Sequence, residues 1–126
     1  MELAAGQRWA YRAPAGHDDS RIIIGAIVSF DGREPVICCS VTGAPSERPD
    51  AVEAVTIPFL PITESAFRES VTGLDGTCEL PETFTTELDG WRHDPRGLAF
   101  FTVPFEGSLD RMIALQMAAI IGRPAA

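Results

Sequence analysis

The sequence predicts an α+β fold: a curved antiparallel sheet of about five strands, barrel-like in its N-terminal half, with three helices in the order β-β-β-β-α-α-β-α. Three observations carry this expectation. Strand-type alternation and β-branched runs fill residues 7 to 61, helical spacing begins at residue 63, and strands and helices do not alternate as a parallel sheet requires.

The elements follow in order. In "GQRWAYRA", Trp9 and Tyr11 alternate with Arg8 and Arg12, so the segment reads as a half-buried strand with both aromatics facing the core. Pro14 and Gly16 end it. "SRIIIGAIVSF" is a long β-branched strand with Gly25 placed for a bulge or sharp bend, and "DGR" at 31 to 33 is a hairpin signal returning the chain as "EPVICCSVTG". Cys38 and Cys39, adjacent in that strand, must point to opposite faces. "APSERPD", residues 44 to 50, reads as a surface loop, and "AVEAVTIPFLP" as a fourth strand that Pro58 pushes toward a sheet edge.

At Thr63, a natural N-cap, the spacing changes. Ile62 is positioned to staple onto Phe67, and Phe67, Val71 and Leu74 fall at i, i+4 and i+7 before a stop at Gly73, which predicts a short amphipathic helix. Phe84, Leu88 and Trp91 repeat the spacing behind Pro81, with Gly90 an interruption, and Pro95 and Gly97 close this second helix. "LAFFTVPF" predicts a fifth strand. Gly107 and Ser108 then start a helix from Leu109 to Ile121, stopped by Gly122, Arg123 and Pro124. Its apolar stripe of Leu109, Met112, Ile113, Met117 and Ile120, with Leu115 and Ile121 off it, suits a helix wedged between elements or shared with a second subunit.

Composition bounds the function. One domain, residues 1 to 126, is expected, since two would each lack a sufficient core. No apolar run reaches the ~20 residues of a membrane span, and "MELAAGQRW" lacks the features of a secretory signal. Three cysteines, Cys38, Cys39 and Cys78, form no C-x-x-C pair, which suits a reducing compartment, so a cytoplasmic location is expected. All ten basic residues are arginine, and the net charge of −8 is uneven: −3 over residues 1 to 63, −6 over 64 to 94 and +1 beyond. Such an acidic middle region repels nucleic acid and anionic membranes and attracts a basic protein or a cation.

"GQRWAYR", then "PAGHDDS", "PITESAFRESVTGL", "GWR" and "GLAFFTVPF" together resemble a group of short, uncharacterised single-domain bacterial proteins. That group has a G-x-x-W-x-Y-[KR] first strand, an acidic D-S turn and a Trp-Arg pair, and it has no established activity. The resemblance covers most of the chain and rests on the order of the motifs. Trp9, Tyr11, Asp19, Ser20, Trp91 and Arg92 fall on matching positions. His17 departs from the pattern, where an acidic or other polar residue stands, and this weakens any histidine-based site.

Two histidines each precede an aspartate, in "GHDDS" and "WRHDPRG", and a metal site would need His17, Asp19, His93 and Asp94 to converge. No ligand spacing demands it. Asp18, Asp19 and Ser20 are usual turn residues, and His93 sits near a helix C-terminus, where a cationic ring gains about 0.3 to 1 kcal/mol from the dipole. Ser20, Ser40, Ser65 and Ser70 lie in no nucleophile elbow, and no glycine-rich loop joins a strand to a helix. No cofactor, metal site or catalytic residue is therefore expected.

The expectation is a non-catalytic binding protein, of inhibitor or immunity type, that engages a basic protein through Trp91, Arg92, Glu79, Glu82, Glu87 and Asp89. The alternative is an enzyme or small-ligand protein with a pocket between sheet and helices, using His17, Asp19, His93 or a carboxylate pair such as Glu79 with Glu82 or Glu87 with Asp89. A homodimer through the C-terminal helix is compatible with either.

Overall fold

The computed structural model describes residues 2–45 and 54–121. Five strands form one open antiparallel sheet: β1, Gln7–Tyr11; β2, Arg21–Phe30; β3, Arg33–Ala44; β4, Val55–Thr63; and β5, Val71–Thr77. Their order is β4-β3-β2-β1-β5, so β4 and β5 are the edges and the N-terminal half does not close into a barrel. The helices are α1, Glu64–Ser70; α2, Phe84–Arg92; and α3, Leu109–Ile121. The α+β class and its five antiparallel strands and three helices are as the sequence predicts, but the fifth strand comes from a different segment.

Alternation along β3 builds two cores. Ile37, Cys39 and Val41 join Trp9, Tyr11, Phe67, Phe105 and Met112 on the α1 and α3 side, while Val36 and Cys38 join Phe84 on the α2 side. The two cysteines do point to opposite faces. Gly25 is the pivot of this arrangement. The β2–β3 register passes from Ile24↔Cys39 to Ala26↔Cys38, so Gly25 is an extra residue. Ile22 and Ile24 thereby face one core, and Ala26, Val28 and Phe30 the other. A methyl group on Gly25 would clash with the Phe84 ring, 2.2 to 2.5 Å from three of its carbons, because the ring packs directly on this backbone. Phe84 is the one fully buried residue of α2.

The first-core aromatics tie the N-terminal strand in place. Trp9 stands edge-on to Phe67, with ring centroids 6.0 Å apart, and Tyr11 packs against Phe105 at 5.2 Å. Ser20 Oγ donates to the Thr42 carbonyl at 2.8 Å, so its one proton is committed and the Tyr11 hydroxyl donates to it at 2.7 Å. Ser70 Oγ donates to the Ala66 carbonyl and accepts the Phe105 N–H, both at 2.8 Å.

Two expected elements differ. The helix from Thr63 stops at Ser70, and Val71 is extended, with φ −85° and ψ 152°. Val71 and Leu74 therefore do not continue a helical stripe; they lie in β5, where pairing with β1 satisfies backbone groups that a longer helix would leave open. The Thr63 cap is present, its Oγ1 accepting the Ala66 N–H, and Ile62 and Phe67 share the first core.

"LAFFTVPF" is not a strand but makes a single parallel bridge, Phe101 with Ile62. The Phe101 N–H donates to the Pro61 carbonyl at 3.0 Å, and the Thr63 N–H donates to the Phe101 carbonyl at 2.9 Å. The next bond of the ladder would run from the amide of residue 61 to Ala99, and proline has none. At the other end, Thr63 already begins α1.

α3 spans the expected residues, with Ser108 Oγ accepting the Arg111 N–H at 3.1 Å. The stop at 122–124, the Ile121 side chain and most of the 44–50 loop lie outside the described residues, as does the start of the predicted fourth strand. Among the described residues no helix is long and apolar enough to cross a membrane.

Candidate functional site

An open cleft of about 600 Å3 lies along the β4 edge. β4 contributes Phe59 and Pro61. One face of α2 contributes Thr86, Glu87, Gly90 and Trp91, and the segment after α2 closes the third side with Asp94 and Ala99 to Phe101. The site exists because that segment is pinned at both ends: Phe101 is bridged to β4, and the Ala99 carbonyl, which finds no amide on Pro61, accepts the Trp91 Nε1–H at 2.6 Å. The indole is thus fixed as a half-buried wall. Phe59 lies between Trp91 and Phe84, with ring centroids at 5.6 Å and 5.8 Å, so the cleft's aromatic wall is continuous with the core contact that seats α2.

The cleft's two acids are in different states. Asp94 is gripped by Arg96, whose Nε–H and backbone N–H reach Oδ1 at 3.0 Å and 2.9 Å and whose Nη2 reaches Oδ2 at 2.9 Å. These contacts hold its pKa down from 3.8 to about 2. Glu87 is exposed and has no ion-pair partner among the described residues. Asp89 on α2 and Glu79 and Glu82 just before it are also exposed, with no ion-pair partner among the described residues. Elsewhere in residues 64 to 94, Glu64 pairs with Arg68, and Asp75 pairs with Arg21 at 2.7 Å and Arg8 at 3.6 Å. Among the described residues, Glu69 on α1 is the other acid of this region without an ion-pair partner.

Of the residues singled out by sequence, Trp91, Glu87 and Asp94 line the cleft, and Glu79, Glu82, Asp89 and Arg92 lie exposed outside it. Arg92 is close enough to lower the Cys38 thiol pKa, although burial dominates and pushes that pKa up to about 12, far from a reactive thiolate. His17, Asp19 and His93 do not line the cleft. His17 closes the β1–β2 turn through its backbone, donating to the Pro14 carbonyl and accepting from the Ser20 amide. The His93 ring Nδ1 lies 2.8 Å from the Asp89 carbonyl, which fixes Nδ1 as the protonated nitrogen at this helix end. Among the described residues no group of three or more His, Cys, Asp or Glu side chains could hold a metal ion.

Sequence reasoning missed Phe59, Phe100 and Phe101, and it weighed Asp94 only as a metal ligand. The available signals were the double phenylalanine in "LAFFTVPF" beside Pro61, and Gly90 within a helical pattern. A Cβ added at Gly90 meets nothing within 4 Å, so this glycine leaves the α2 wall open. Comparison with family models, curated proteins and solved structures finds no match to the chain.

Proposed function

We propose that this chain is a small non-catalytic binding protein that engages a basic protein partner through α2 and the cleft beside it. One observation carries the reading: Glu79, Glu82, Glu87 and Asp89, all in α2 or just before it, are exposed with no ion-pair partner among the described residues, and Glu87 lines an open aromatic cleft. Carboxylates concentrated in one short segment steer a cationic partner, and adjoining aromatic surface supplies the short-range contact that charge alone does not. The pocket between sheet edge and helix also suits the small-ligand alternative. Free cysteines, two of them buried, fit a reducing, cytoplasmic setting.

The test is binding to an immobilised lysine-rich peptide at low and at high salt. Neutralising Glu79, Glu82, Glu87 and Asp89 to their amides should remove most of the low-salt binding. Neutralising the exposed Asp18, Asp19, Asp31 and Glu106 makes the same change in net charge and should remove little. Equal loss in both variants refutes a localised face.

A second reading concerns α3. Ile113, Met117 and Ile120 are 45%, 52% and 59% exposed and follow one another at helical spacing. α3 carries only Asp110 and Arg111 as charges, so two copies of an acidic chain repel least here, which favours a second copy as the occupant. Light scattering should give a dimer that Met117→Lys converts to a monomer; a wild-type monomer at high concentration ends this reading.

A further inference from the structure

The cleft chemistry specifies which basic group the partner offers. We propose that it is an anchor pocket for a single arginine side chain of the partner, an inference that rests on the acidic-face reading above. An anion is repelled by Glu87 and the surrounding carboxylates. A neutral apolar group would cover Glu87 without compensating its charge, which is costly. A cation with a flat apolar face satisfies both features, stacking on Trp91 and Phe59 while pairing with Glu87. Guanidinium fits better than ammonium, because it is planar, weakly hydrated and able to bond a carboxylate through two N–H groups at once. The rim already shows the same pairing within the chain, where Arg96 holds both oxygens of Asp94. That pair also leaves Glu87 as the carboxylate available to an incoming cation.

Gly90 provides a clean perturbation. Its position on the cleft wall is open, so Gly90→Leu fills the cleft while keeping every charge and aromatic group. The experiment titrates 15N-labelled protein with octa-arginine and with octa-lysine, following the indole N–H resonances of Trp9 and Trp91. The arginine peptide should bind about two- to fivefold more tightly and move the Trp91 indole resonance, while Trp9, buried in the other core, stays in place. In Gly90→Leu the arginine preference should disappear while salt-dependent binding of both peptides persists. Equal wild-type affinities with an unmoved Trp91 resonance overturn the anchor and leave the acidic face standing. Failure of both peptides to bind at low salt overturns both. If Gly90→Leu does not fold, the wild-type resonances alone decide between these outcomes.

Discussion

Substituting Gly25 by alanine tests how α2, and with it the cleft, is mounted on the sheet. Gly25 does not have a positive φ, so alanine can adopt its backbone conformation, and the cost is steric: the new methyl group collides with the Phe84 ring. Overpacking of this kind costs about 1 to 3 kcal/mol. Phe84→Ala removes a ring that is 2% exposed and should cost about 3 to 5 kcal/mol. In the double variant the ring is gone, so the methyl group meets no obstacle. Alanine should then be neutral, or stabilise the strand by up to about 1 kcal/mol relative to glycine. The coupling energy between the two sites is therefore about 2 kcal/mol, the size expected for residues in direct contact. Urea unfolding of the four proteins measures it, and Gly25→Ala alone should lower the midpoint by about 1 M at a slope typical of a small domain. Additive costs, with Gly25→Ala as destabilising without the ring as with it, would show that the methyl group and the ring do not collide.

Ser70→Ala should cost about 1 to 3 kcal/mol by denaturant unfolding, because the buried Phe105 amide loses its acceptor; a loss below half of that would mean another acceptor replaces it. Arg96→Ala should release Asp94, returning its pKa upward from about 2 toward 3.8 and tightening cation binding at the cleft; side-chain carboxyl NMR and peptide titration read the two effects. Because the folded-state pKa of Asp94 is the lower one, its ion pair contributes stability fully above about pH 4, and the contribution is lost as pH falls toward 2. Asp94→Asn should flatten that part of the stability profile and leave the profile near neutral pH parallel to wild type.

What could be read in the sequence was local. The β2–β3 hairpin follows from "DGR" between β-branched runs, with Gly32 at φ +76°, and α3 follows from its cap and spacing. Trp9 and Tyr11 are in the core as alternation requires. Residues 71 to 77 were illegible because Val71 and Leu74 fit a helical stripe as well as a strand, and the open edge of β1 decided between them. "LAFFTVPF" has every local property of a strand. Its pairing fails because of Pro61, far away in sequence, and because α1 starts at the next residue the ladder needs. The same non-local event creates the site. The acids of α2 and Trp91 were legible as charge and aromatic pattern, whereas Phe59, Phe100 and Asp94 join them only through the bridge that Phe101 makes to β4.

The most direct test of the central claim is chemical-shift mapping of the whole backbone while a lysine- and arginine-containing basic peptide is added at low salt. The perturbed amides should centre on residues 79 to 94 and 99 to 101 and return toward their free positions as salt is raised. Perturbations centred on α3 or on the β1–β2 turn, or spread evenly over the acidic surface, would contradict the claim.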